Sequence, residues 1–125
     1  MARTDIAIQV IDRNTVPAFL KSSITMTTLD AANDMSFTHD NGLVVFIFNE
    51  DAGTPVVTFV GVEEPGNQRS QSLAVTLAAG SVDPQLYVAG PFDAEGFRQA
   101  DGKVYIDIDA ATDARIAVVR LELRV

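Results

Sequence analysis

Hydrophobic and polar positions alternate with a period of two in several separate stretches of the chain. In Lys103-Val104-Tyr105-Ile106-Asp107-Ile108-Asp109, Val104, Ile106 and Ile108 fall on one side, and Lys103, Asp107 and Asp109 on the other. Asp5-Ile6-Ala7-Ile8-Gln9-Val10 does the same with Ile6, Ile8 and Val10. Successive side chains of an extended chain leave opposite faces, so this pattern predicts half-buried strands; a helix would spread the same residues around its circumference. Runs rich in β-branched and aromatic residues predict further strands at 23–28, 43–49, 55–60, 71–77, 85–89 and 115–125. Leu43 to Phe48 is apolar on both faces, which predicts a central strand covered by protein on each side.

Turn chemistry separates these runs. Asn41-Gly42, Ala52-Gly53, Pro65-Gly66, Ala79-Gly80 and Asp101-Gly102 each supply a residue tolerant of positive φ, and Asp101-Gly102 directly precedes an alternating strand. The helical signal is confined to 29–34 and 92–97, where an Asp is placed to cap a single turn. The pattern predicts one all-β domain over residues 1–125, a jelly-roll-like β-sandwich or barrel of about seven to nine antiparallel strands with at most short helical turns. Residues 1–19 read either as an extended N-terminal arm that adds a strand to a neighbour or as an edge strand of the domain itself, and 121–125 offers the same choice. Partner contacts made by these ends would fall on Ile6, Ile8, Val10, Leu123 and Val125. The polar stretch Glu63 to Ser70 reads as an exposed loop.

Composition narrows the function classes. A chain of 125 residues with 47% hydrophobic and 21% charged residues has the make-up of one globular core. With no cysteine, neither a disulfide nor a thiolate ligand or nucleophile is available. The start, Met1-Ala2-Arg3-Thr4-Asp5, has no signal pattern, and the longest apolar run, Leu43 to Phe48, is strand-sized, so synthesis in the cytoplasm without membrane insertion is expected. The net charge is −8 and the nine basic residues are scattered, which argues against direct nucleic-acid or anionic-membrane binding. The acidic surface suits solubility or docking onto a basic partner.

Catalytic constellations are missing from the sequence. The single histidine, His39, sits in a polar turn without a G-x-S-x-G elbow elsewhere, and reads as a loop residue. Asp107 and Asp109, with Asp113 nearby, invite a calcium site, their carboxylates lying about 7 Å apart along a strand. Without EF-hand spacing, a solvated acidic face is the expected reading. Paired carboxylates also raise glycoside hydrolysis, but tryptophan is absent. The expectation is a protein with no catalytic, cofactor-binding or metal-binding residues. Tyr87-Val88-Ala89-Gly90-Pro91-Phe92 stands apart: Gly90 before a proline is expected to end a strand in extended geometry, with Phe92 and Phe97 folding back as plugs on the end of the domain.

The order of these pieces resembles that of capsid decoration, or cement, proteins of tailed bacteriophages. The likeness runs from Asn41-Gly42 and Leu43 to Asn49, through Val57-Thr58-Phe59 and Leu77-Ala78-Ala79-Gly80. It is sharpest at Gly90-Pro91-Phe92, Phe97 and Asp101-Gly102-Lys103-Val104-Tyr105, and it closes at Ile116 to Leu121. The chain continues through Glu122 to Val125, beyond where such proteins are expected to stop. The resemblance implies a β-sandwich or barrel on the outer capsid surface of a virion, assembled in the host cytoplasm. It implies the phage major capsid protein as partner and a homo-oligomer, a trimer being the favoured form. It implies no catalytic residues. A carbohydrate-binding or adhesion module on a β-sandwich is the alternative, weakened by the scarcity of aromatic residues.

Overall fold

A computed structural model describes residues 2–12, 24–62 and 72–122, which form ten strands and one helical turn joined by turns and loops. The strands are β1 (Thr4–Asp5), β2 (Ile8–Asp12), β3 (Thr27–Thr28), β4 (Met35–Thr38), β5 (Leu43–Asn49), β6 (Val56–Phe59), β7 (Leu73–Thr76), β8 (Gln85–Ala89), β9 (Lys103–Ile108) and β10 (Arg115–Glu122). The turn α1 (Ala94–Phe97) lies between β8 and β9. The first sheet has the order β1-β4-β9-β6-β7 and the second β2-β10-β5-β8, with β3 also paired to β10. The fold is therefore an all-β sandwich. The stretch 63–70 expected as a loop, Leu123 and Val125 lie outside the described residues.

The alternation read from the sequence becomes the core. Met35, Phe37, Val57, Phe59, Val104 and Ile106 from the first sheet meet Leu43, Val45, Ile47, Ile116 and Val118 from the second, and all of them are sealed from solvent. Burying each such side chain contributes about 1.5–3 kcal/mol before conformational entropy is subtracted. On β9 the inward residues are Val104, Ile106 and Ile108, as the period of two requires. β5 lies inside its sheet, between β10 and β8.

Strand direction departs from the antiparallel expectation at the N-terminus. β1 runs parallel to β4 and β2 parallel to β10, while the other pairings are antiparallel. A period of two encodes which face is buried and carries no information about direction. The alternating stretch at 5–10 is also divided. β1 belongs to the first sheet and β2 to the second, and the chain changes layers at Ile6-Ala7. Ile6 N–H donates to the Ser36 carbonyl at 2.8 Å, and the Ile6 side chain enters the core. β1 and β2 thus pair at the edges of this chain's own two sheets, and residues 13–19 of the expected arm lie outside the described residues.

A small third layer covers part of the second sheet. Ile24 is buried against the outward-facing Ala117 and Val119 of β10, with Ile11, Met26 and Phe46 around them. Gln9 fixes this segment as a strand would: its Nε2 donates to the Thr25 carbonyl at 2.5 Å, and its Oε1 accepts from Thr25 N–H at 2.8 Å. At the far end of β5, the buried Asn49 joins two loops. Its Nδ2 donates to the carbonyls of Gly53 (3.1 Å) and Ala78 (2.7 Å), and its Oδ1 accepts from Asp51 N–H at 3.0 Å. Gly80 passes so close that a Cβ there would overlap the Asn49 carbonyl.

Candidate interaction surface

The two outer faces of the sandwich differ in chemistry. On the second sheet, the antiparallel register sets Phe46 opposite Val88 and Phe48 opposite Leu86 between β5 and β8. On its other side β5 sets Val44 opposite Val119 and Phe46 opposite Ala117 of β10. Opposed residues share a face, so these side chains form one apolar surface. The layer at Ile24–Met26 covers its β10 half. Across β5 the cover ends: Val44, Phe46 and Phe48 are half-buried, and Leu86 and Val88 stand 51% and 61% exposed. Among the described residues, the charged pair at the end of this surface is Arg115, opposite Phe48, with Glu50 at 2.6 Å. Neighbouring large aliphatic side chains left bare on a rigid sheet are characteristic of association surfaces.

The outer face of the first sheet is polar and internally neutralised. Lys103 pairs with Asp5 at 3.2 Å and Arg3 with Asp107 at 2.7 Å. The Arg3 guanidinium also lies 4.3 Å over the Tyr105 ring and donates to the carbonyls of Met35 and Ile106. Tyr105 donates its hydroxyl to Asp101 at 2.7 Å, which raises the phenol's pKa and lowers the carboxyl's. Exposed pairs of this kind contribute little to stability. They do satisfy the charges locally, and among the described residues the exposed large aliphatic side chain of this sheet is Leu73, at the start of the edge strand β7.

The residues singled out in the sequence close one end of the sandwich. Gly90-Pro91 is a cis peptide, and Gly90 takes φ +104°. The extended geometry expected of Gly90 is therefore not adopted. A Cβ there would lie 2.8 Å from the Leu43 carbonyl in a backbone conformation L-residues avoid. Phe92 turns inward and is buried, its ring centroid 4.7 Å from Phe59, 5.1 Å from Phe97 and 6.2 Å from Phe37. His39 ties this plug down: its Nε2 lies 2.8 Å from the Phe92 carbonyl, and its N–H donates to the Gly102 carbonyl. Asp101 caps the turn by accepting from Lys103 N–H, with Gly102 at φ +84°. The Gly-Pro-Phe and Asp-Gly motifs are thus parts of one structural closure.

The acidic residues separate. Asp107 faces Arg3, and Asp109 accepts from Val56 N–H at 2.8 Å. Asp113 lies instead with Thr28, Glu50, Asp51 and Arg115 around an open cleft of about 360 Å³. Asp51 there accepts from Asp113 N–H and Ala52 N–H. Among the described residues no three acidic or histidine side chains are grouped to hold a metal ion. Of the expected partner contacts, Ile6 is in the core and offers no surface, Ile8 is half-buried against the core, and Val10 is 48% exposed. Leu86 and Val88 escaped the sequence reading as contact residues. Their signal was there: Gln85-Leu86-Tyr87-Val88-Ala89 is apolar in both phases of the alternation and carries no charge. Comparison with protein-family models, curated proteins and solved structures finds no match to this chain.

Proposed function

We propose that this protein is a virion structural module that binds the outer surface of a phage capsid and reinforces it, with the major capsid protein as its partner. The observation that carries the reading is the bare Leu86–Val88 stripe beside Phe46 and Phe48 on the outside of a sandwich whose opposite face is polar. A decoration protein needs a stiff body with one face that gains by leaving water. Apolar area removed from solvent contributes about 25 cal/mol per Å², and many weak copies on one shell act together through avidity. The excess of acidic over basic residues suits a partner surface of the opposite sign. The motif order from Asn41-Gly42 to Leu121, which resembles phage cement proteins, points the same way.

The test is mass spectrometry and imaging of virions from the phage that carries the gene, followed by co-sedimentation of the purified protein with undecorated shells. The chain is expected in the particles in many copies, and Leu86→Lys is expected to abolish co-sedimentation without unfolding the protein. Virions containing none of it would end the proposal.

A further inference from the structure

Strand β8 ends the second sheet with one edge unpaired. Among the described residues, no backbone group of Gln85–Ala89 bonds beyond β5. Sheet edges are normally guarded by charge, proline, a bulge or brevity, because an open row of N–H and C=O groups recruits another strand. β8 has none of these: QLYVA is uncharged, unbroken and five residues long. The other edges differ. β1 has two residues and carries Asp5, which pairs with Lys103. β2 carries Asp12, and β7 is shorter, four residues, with Leu73 as its one exposed large aliphatic side chain beside Ala74 and Thr76.

The geometry points to a second copy of this chain as the occupant, its β8 pairing antiparallel with this one about Tyr87. A two-fold axis through Tyr87, normal to the sheet, sets Leu86 opposite the second copy's Val88, and Val88 opposite its Leu86. All four aliphatic side chains then meet on the outer face, since opposed residues share a face. A slip of one residue would oppose an outward side chain to an inward one, so the pattern itself selects the register. Tyr87 is held inward for this role, its hydroxyl accepting from Ala78 N–H at 2.7 Å.

The self-matching register argues for the occupant, and charge and area set the strength. Each copy carries −8, so two copies repel, and the uncharged β8 edge is where they meet with least opposition. A five-residue strand is about 17 Å long, and edge contact over that length buries roughly half of the ~1,600 Å² typical of stable complexes. The pair is therefore weak in dilute solution and populated where copies are held close together. A strand that matches itself closes at two copies, in place of the three-fold association favoured from the sequence. This inference is argued from β8 and uses the same Leu86–Val88 stripe as the capsid reading, but the dimer is measured in solution without shells, so the two can fail separately.

Sedimentation equilibrium of the full chain, from about 10 µM to 1 mM, tests it. Dimer is expected at the upper end and is expected to increase with added salt, which screens the repulsion. Val88→Lys is expected to weaken the dimer at least tenfold while circular dichroism and Tm stay as in the parent, because that side chain is exposed. Ala74→Lys on the β7 edge is expected to leave it intact. The cysteine-free chain also allows the register to be read. Leu86→Cys mixed with Val88→Cys is expected to crosslink on oxidation several-fold more than either variant alone. A monomer at every concentration and salt level, a V88K dimer as tight as the parent, or equal crosslinking by the single variants would overturn the inference.

Discussion

Replacing Phe92 by alanine tests the account of the sandwich end. Phe92 is 6% exposed and touches three other rings, with centroids at 4.7, 5.1 and 6.2 Å. Truncating a buried phenylalanine costs about 3–5 kcal/mol through lost transfer energy and the cavity left behind. The upper half of that range is expected, because Phe37 and Phe59 belong to strands and cannot collapse into the space. For a domain of this size each kcal/mol lowers Tm by roughly 3–5 °C, so Phe92→Ala is expected to lose about 12–25 °C. Thermal melts by circular dichroism, with urea titrations to confirm an unchanged m-value, measure it. Phe97 is half-buried, so Phe97→Ala is expected to cost about half as much, and the double variant to show coupling of about 0.5–1.5 kcal/mol. A Tm drop under about 4 °C for Phe92→Ala would refute the claim that this ring plugs the core.

Other perturbations read other parts of the structure. Gly80→Ala places a methyl group on the Asn49 backbone and is expected to cost about 3 kcal/mol or more, seen as a lower urea midpoint. Asn49→Ala leaves the Ala78 and Gly53 carbonyls and Asp51 N–H without their partner and is expected to cost about 2–4 kcal/mol in the same titration. Asp30, Asp40 and Asp101 each have a carboxyl pKa below the ordinary 3.8, through bonds led by the Thr4 hydroxyl, the Asn41 N–H and the Tyr105 hydroxyl respectively. Such groups bind fewer protons folded than unfolded, so their contribution is present above 3.8 and is lost as pH falls through the lowered values. Tm is accordingly expected to be level from about pH 7 to 5 and to fall below about pH 4, less steeply in Asp30→Asn.

The faces of the strands were legible in the sequence, and their neighbours were not. Val104, Ile106 and Ile108 could be assigned to the interior because side-chain direction follows from position within one strand. That Ile6 and Ile8 serve different sheets could not be read, because the layer change at Ile6-Ala7 depends on β4 and β10, which lie far away in the chain. The same limit hid the parallel pairings. The closure at Gly90-Pro91-Phe92 was visible as a motif, but the close passage of Gly90 by the Leu43 carbonyl, which leaves no room for a Cβ, is a contact made in space. Leu86 and Val88 were recognised as strand residues. Whether an apolar outward side chain is bare or roofed depends on where the Ile24–Met26 segment lies, and that segment covers β10 but stops short of β8.

The parallel alignment of β2 with β10 has a mechanical consequence. Ile8 lies beside Val118 and Asp12 beside Glu122. Tension entering ahead of residue 8 and leaving past residue 122 would pull the two strands lengthwise against each other. All the cross-links between them then carry the load together and must fail at once, whereas an antiparallel pair pulled from one end opens link by link. A body tethered at these two points resists stretching along that axis better than one whose end strands peel apart.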